Sequence, residues 1–259
     1  MPGPTLRGMF GGLLDALFPC HCLGCGGGEW PYCARCRLEV AVLGPPWCRR
    51  CGRPLEFSVE ACRDCPPEAL SWARAAYLYE GPVRKTLIRL KFGGLRSAVD
   101  VLSLAMMAAL RKERGGDAEP MVITWVPLGR RRRRARGYDQ AEVLARQVAA
   151  GLRWPIRSLL ERVVETPPQA RRTGAERARA QRGAFRSTAR PPTMVLLVDD
   201  VLTSGATAAE CARTLRAAGA RHVGLLTAAR SLGGDVPARC YNPPGLQPGS
   251  VVARENVSR

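Results

Sequence analysis

At 259 residues, with a formal charge of +18 and a pI near 10.4, the chain is long enough for one full-sized domain plus a small accessory one. Its balance of charge points to polyanionic ligands or partners. No run of about 20 apolar residues occurs, which excludes a membrane-spanning helix. Residues 1–70 hold seven arginines against seven Asp or Glu residues, so the whole positive excess belongs to residues 71–259.

In chain order, MFGGLLDALF (residues 9–18) reads as a short apolar helix packing against the body. It is too short, glycine-broken and interrupted by Asp15 to make a good signal peptide, so a cytoplasmic location is expected. Eight of the eleven cysteines then form four CxxC pairs: Cys22/Cys25, Cys33/Cys36, Cys48/Cys51 and Cys62/Cys65. A CxxC turn aims two thiolates at one point, and two such turns complete a tetrahedral S₄ site, so eight ligands imply two structural zinc ions. Gly24, Gly26, Gly52 and Pro54 stand where tight knuckle turns need them. Disulfides, a redox CxxC and an iron–sulfur cluster are the competing readings, and each fits the spacing or the compartment less well. Spacing admits consecutive or interleaved pairing; consecutive pairing is the expectation. Cys20, Cys211 and Cys240 are left over, Cys211 as ordinary packing and Cys20 as an awkwardly placed alternative ligand. With neutral residue charge and net-negative thiolate centres, this module is expected to stabilise a small fold and dock a partner rather than to grip phosphates.

The body follows with a strand (Ala75 to Tyr79), a Gly-Pro break, a helix from Pro82, and an amphipathic helix closed by Gly115-Gly116. Met121 to Leu128 is a second buried strand, and AEVLARQVAAGL a helix capped by Asp139. Strands alternating with helices indicate a doubly wound parallel sheet, whose ligands bind at the carboxyl ends of its strands. The segment after Leu128 reads as a loop carrying Arg130, Arg131, Arg132, Arg133, Arg134 and Arg136. Such a loop grips a diphosphate or a nucleic-acid backbone by bidentate hydrogen bonds, or is simply a solvated basic loop. Residues 162–190, with eight more arginines among Pro, Gln, Thr and Ala, suit a mobile lid or a nucleic-acid-binding segment.

VLLVDDVLTSGAT (residues 195–207) carries the sharpest chemistry. Val195 to Val198 make a central strand covered on both faces, Asp199 and Asp200 stand at its end, and Thr203, Ser204, Gly205, Ala206 and Thr207 lead into a helix. A helix start offers unpaired N–H groups and a positive dipole end to a phosphate, while adjacent carboxylates accept from vicinal hydroxyls and attract a divalent cation. Together these suggest a ribose 5-phosphate group. The lysine of a GxxxxGK[ST] loop is absent, so this is not a P-loop.

The thirteen-residue stretch resembles the motif by which type I phosphoribosyltransferases bind 5-phosphoribosyl 1-diphosphate (PRPP). With YEGPVRKTLIRLKFGG, VPLGRRRRRARGYDQAEVLARQVA, the series Arg162, Thr166, Gln169, Arg177 and GAF, and the four CxxC pairs, the chain is similar to the ComF family of competence-associated phosphoribosyltransferase-like proteins. The resemblance implies an α/β fold: a type I phosphoribosyltransferase-like, mostly parallel sheet flanked by helices (72–231) and a small N-terminal cysteine-rich double zinc ribbon (18–70); the remaining tail (232–259), rich in Gly and Pro and without a counterpart in the family, is expected to be disordered. It implies that Asp199 and Asp200 hold the ribose hydroxyls, with Mg²⁺ accompanying PRPP, and that residues 203–207 hold the 5-phosphate. Lys91, Arg130 to Arg134, Arg136 and Gly137 become the contacts to diphosphate or nucleic acid. Partners would be PRPP or another ribose 5-phosphate ligand, single-stranded DNA and proteins of the competence machinery. The alternative is an active pentosyltransferase of nucleotide or base salvage without a DNA role. Two departures stand out: Asp139 replaces the Asn of the usual RGFNQ block, and Ala180-Gln181 an Asn-Val pair.

Overall fold

The computed structural model of the chain describes residues 21–63, 65, 70–92, 97–115, 119–164 and 181–232. The short apolar helix, Cys20, Cys240, the middle of the lid and the tail from residue 233 lie outside them. The body is built on a four-stranded, all-parallel sheet of strands β1 (Trp72–Leu78), β2 (Val122–Trp125), β5 (Met194–Leu202) and β6 (His222–Arg230), in the order β1-β6-β5-β2. A separate antiparallel pair joins β3 (Leu160–Arg162) to β4 (Phe185–Ser187). It ties together the two ends of the arginine-rich segment, a pairing that no local turn signal announces.

Both faces of the sheet are covered, and the strand sequence shows why. In β5, Leu196 and Val198 point to one side, where they join the core formed by helices α2 (Gly81–Phe92), α3 (Ala98–Arg114) and α5 (Gln140–Leu152). Val195 and Leu197 point to the other, against α6 (Ala206–Ala217) and the β3–β4 pair. The two-residue period of a strand therefore feeds two cores from one continuous apolar run. The segment from Arg130 to Arg136, expected as a loop, is a short helix, α4. Arginine is a good helix former, and flanking Gly129 and left-handed Gly137 (φ 78°) start and stop the turns.

The cysteine-rich segment, whose own short helix is α1 (Ala34–Glu39), is fastened to the body at two places. Residues 41–43 run antiparallel beside β1, with Leu43 N–H donating to Ala76 O (2.9 Å) and Leu78 N–H to Ala41 O (2.9 Å), which covers the sheet's edge. The first cysteine turn sits on α2, where buried Thr86 Oγ1 bonds Leu23 O (3.1 Å) and Tyr32 Oη (3.0 Å). The second sits on β1, through Ala73 N–H to Arg50 O (2.8 Å).

Two arginines are buried at this second seam. Arg74 of β1, 1 % exposed, donates through Nε to Glu113 (2.7 Å) and through its terminal nitrogens to Ala73 O and Arg49 O (both 2.7 Å), with its guanidinium 4.6 Å from the Trp47 ring centroid. Arg230 closes β6 at 5 % exposure and donates to the Cys51 carbonyl. Gly52 fits the seam only as glycine: its φ is 69°, and a Cβ there would stand 2.5 Å from Ala73 O. Gly52→Ala should therefore cost about 2 kcal/mol in a urea midpoint measurement with zinc present, while Gly27→Ala, which meets nothing within 4 Å, should stay within about 0.5 kcal/mol of wild type.

Candidate functional site

β5 does not stop at the acidic pair; it runs through Asp199, paired with Thr227, to Leu202. Asp199 Oδ1 accepts from the Asp200 backbone N–H (2.8 Å). Asp200 Oδ2 accepts from Lys91 Nζ (2.7 Å), which the last turn of α2 delivers across the carboxyl edge of the sheet. Burial, then the charge of Asp200, push the Asp199 carboxyl well above the usual carboxylate range. Burial works against the ammonium of Lys91, but Asp200 and, less strongly, Asp199 outweigh it, and its pKa rises. The edge thus holds two carboxylates and one half-buried cation in mutual reach.

Behind the pair the backbone turns through exposed Thr203 and Ser204 to Gly205, left-handed at φ 74°, which precedes the first residue of α6. Ala206 and Thr207 belong to the helix's first turn rather than to a loop. Their N–H groups are among those that a helix cannot satisfy internally, so the small-residue run becomes a set of donors facing the carboxyl edge.

α4 contributes Arg136 to the same place. Burial lowers its pKa while the charge of Asp200 pulls it back up. Its guanidinium bonds Gln140 Oε1 (2.8 Å) and lies 4.9 Å from the ring centroid of Phe92, which is 74 % exposed. Arg130, Arg131, Arg133 and Arg134 face solvent and Arg132 is half-buried, with Arg133 paired to Glu142 (3.2 Å). The structure therefore gathers Asp199, Asp200, Lys91 and Arg136 into one site and lays the remaining arginines beside it as a helical face. Gly137, left-handed at φ 78°, ends that helix.

Asp139 does more than cap a helix. It is 4 % exposed and turned inward: Oδ1 caps α5 through Ala141 N–H (3.0 Å) and Glu142 N–H (3.4 Å), and Oδ2 accepts from Leu128 N–H (2.7 Å). It is a strut between the end of β2 and α5, a role that uses both carboxylate oxygens. Phe92 and Gln140 carried no signal beyond adjacency to Lys91 and Asp139; long-range packing brings Phe92 to Arg136, and the local turn between α4 and α5 brings Gln140 there.

The cysteines come together in consecutive sets, Cys22, Cys25, Cys33 and Cys36, and Cys48, Cys51, Cys62 and Cys65, each with its sulfurs within 4.8 Å of one another. Cys48–Cys65 and Cys51–Cys62 stand at 3.5 Å, and Cys25–Cys33 and Cys62–Cys65 at 3.8 Å. A tetrahedral zinc with bonds of about 2.3 Å puts its sulfurs about 3.8 Å apart, so the donor set and its size both suit zinc. The turns also favour thiolate. Burial would raise the Cys22 thiol, but N–H groups of Cys25, Cys33 and Gly24 bring it down to about 6; Cys48 falls to about 7 through Cys51 and Cys62 in the same way. Burial lifts their partners Cys36 to about 12 and Cys51 to about 11, so the full tetrathiolate forms only with a cation to hold it. Cys211 is fully buried within α6 as packing.

Metal analysis of protein prepared without chelator should give about two zinc per chain. Changing Cys25 and Cys33 together to Ser should leave about one, as should changing Cys51 and Cys62. A loss of both ions from either double variant would contradict two separate S₄ centres.

The family model described as Double zinc ribbon domain matches residues 13–66. Competence protein F of Haemophilus influenzae is 29% identical over 210 residues, covering 77% of this chain and 90% of that one. DNA utilization protein YhgH of Escherichia coli (strain K12) is 28% identical over 214 residues, 79% of this chain and 92% of that one. Competence protein ComFC of Bacillus subtilis is 27% identical over 194 residues, 71% and 77% respectively. A solved structure, "Structure of the allosteric regulatory enzyme of purine biosynthesis", aligns with 51% of this chain and 26% of its own at a TM-score of 0.34 and 22% identity. Over most of its length the chain is therefore a homologue of proteins named Competence protein F, DNA utilization protein YhgH and Competence protein ComFC, and it carries a double zinc ribbon domain over residues 13–66.

Proposed function

We propose that this protein binds PRPP, or a closely related ribose 5-phosphate, at the carboxyl edge of its sheet, and that its arginine-rich face contacts single-stranded DNA in the service of DNA uptake. The observation that carries the first half is the pair Asp199 and Asp200 in front of the Gly205 turn, with a half-buried lysine already ion-paired to Asp200. The pair would accept from the ribose 2- and 3-hydroxyls, and the turn from Thr203 to Thr207 would donate to the 5-phosphate. Lys91 and Arg136 are the nearest cations for the diphosphate. Mg²⁺, bound with PRPP, would supply charge neutralisation between diphosphate and hydroxyls. Gln140 Nε2, buried without a hydrogen-bond partner beside Arg136, supports a ligand here, since a buried donor left unpaired is costly.

The second half rests on charge. The excess of +18 lies in the part of the chain that holds the sheet, and α4 concentrates six arginines on seven residues next to the site. Guanidinium groups on an exposed helix suit phosphates rather than base edges, so contact with the strand should be indifferent to sequence. The names of the relatives, competence protein and DNA utilization protein, agree with that use. Should PRPP be consumed, the residues at hand position it and stabilise the departing diphosphate; none is placed as a covalent nucleophile. Release of diphosphate with a nitrogenous base as acceptor would make the protein a pentosyltransferase, and binding without release a PRPP-responsive adaptor. A cytoplasmic site of action follows from this reading; among the described residues no helix is long and apolar enough to cross a membrane.

Changing Asp199 and Asp200 together to Asn should weaken PRPP binding at least about tenfold in calorimetry while leaving the fold unchanged, because hydroxyl acceptors with charge become neutral amides. Affinity should also rise with pH. The Asp199 carboxyl holds its proton to a higher pH than an ordinary carboxylate, a ribose-bound pair must be ionised, and binding should therefore release a proton. Equal binding heats in buffers of different ionisation enthalpy would exclude that release.

For DNA, replacing Arg131, Arg132 and Arg133 with Ala should lower the slope of log affinity against log salt by about 0.7 for each phosphate that the helix no longer neutralises, with no change in sequence preference. An unchanged slope would move the strand away from α4.

A further inference from the structure

Arg230 is a buried cation in need of a partner. It is the last residue of β6, 5 % exposed, and its Nη1 donates to the Cys51 carbonyl while Nη2 lies 3.8 Å from Cys51 Sγ. Its Nε has no hydrogen-bond partner, and among the described residues it forms no salt bridge to a carboxylate. Arg74, the other buried guanidinium at this seam, has Glu113. A charge taken out of water without a counter-charge is strongly unfavourable, so a native fold keeps such a group only where an anion meets it. The nearest candidate is the second cysteine cluster. Four thiolates around one Zn²⁺ leave two net negative charges, which face the same desolvation problem from the other side.

We infer that Arg230 is the outer partner of the second zinc centre: its guanidinium hydrogen-bonds a ligand sulfur and balances the tetrathiolate, so that the metal holds the end of β6 and β6 holds the metal. Both centres receive backbone N–H groups at sulfur, Cys33 N–H at Cys22 (3.3 Å) and Cys62 N–H at Cys48 (3.2 Å). The second adds a buried guanidinium to them. The consequence is an inequality: zinc in the set Cys48, Cys51, Cys62 and Cys65 should be retained longer than zinc in the set Cys22, Cys25, Cys33 and Cys36. The link also reaches the candidate ligand site. Arg230 pairs with Leu202 in the sheet, and Ser231 N–H donates to Leu202 O (2.8 Å), one residue before the turn that starts at Thr203. Arg230 is thus a positioning residue, acting on the metal through Cys51.

The test uses the full chain loaded with two zinc ions and a colorimetric chelator, with cysteine alkylation followed by mass spectrometry to assign each phase of release. Wild type should lose zinc in two phases, and alkylation should reach Cys48, Cys51, Cys62 and Cys65 in the slower one. In Arg230→Met the slow phase should quicken by about 10- to 100-fold, the size of effect typical of an outer partner of a metal ligand, with the fast phase unchanged. Arg230→Lys should fall between, since an ammonium keeps the charge but cannot serve carbonyl and sulfur together. Cobalt substitution adds a readout that mere destabilisation would not move: the sulfur-to-cobalt charge-transfer band of the second centre should shift in Arg230→Met and shift less in Arg230→Lys. If Arg230→Met does not fold, the alkylation order in wild type and the response of Arg230→Lys decide. Equal quickening of both phases, no quickening, or earlier alkylation of the second set in wild type would overturn the inference.

Discussion

The architecture depends on burying two guanidinium groups at one seam. Arg74 and Arg230 project from the parallel strands β1 and β6 into the second cysteine turn, where they meet carbonyls of Arg49 and Cys51, the carboxylate of Glu113 and the sulfur of Cys51. Each of these partners is fixed by backbone or by a metal-ligand turn, so the arginines can be satisfied in one arrangement only. The apolar packing of the sheet supplies most of the stability, but it does not specify where a small cysteine-rich segment should sit. The seam does. Gly52, which leaves no space for a Cβ against Ala73 O, sets how closely the turn approaches.

This arrangement places each cysteine cluster behind an element that carries site residues or lies beside one that does. The first turn rests on α2 through Tyr32, Thr86 and Leu23, and the last turn of α2 delivers Lys91 to Asp200. The second rests on β1 and β6, and β6 is the neighbour of β5 through the acidic pair itself. A metal centre in a protein of this size need not touch a ligand to matter to it; here the two clusters act as abutments for the sheet's carboxyl edge. The acidic pair benefits directly, because two adjacent carboxylates in a partly desolvated site repel each other and would drive a loosely held edge apart.

What was legible in the sequence was local. The CxxC spacing revealed the ligands because a knuckle turn is complete within a few residues, whereas spacing left their grouping open and the fold brings them together consecutively. The apolar run before Asp199 revealed a doubly covered strand because both faces are written in one stretch. The seven-residue arginine segment misled, since a run of like charge flanked by glycines has the composition of a solvated loop; the helix forms because those glycines act as its start and stop. Asp139 read as a helix cap, which it is, yet its second oxygen accepts from a backbone N–H eleven residues away at Leu128, a contact that no local signal announces. Arg74 and Arg230 gave no sign at all of being buried. Their partners lie 25 and 179 residues distant, and a lone arginine in a strand is ordinarily read as an edge or face residue.

On the proposed reading, the acidic pair, the Gly205 turn and Lys91 form one PRPP-type site. Calorimetric titration of the zinc-loaded wild-type chain with PRPP, with and without Mg²⁺, tests it most directly. The predicted result is binding at one site per chain that strengthens with Mg²⁺ and is competed by ribose 5-phosphate, which shares the hydroxyls and the 5-phosphate. Absence of binding, or binding competed by inorganic diphosphate but untouched by ribose 5-phosphate, would contradict it.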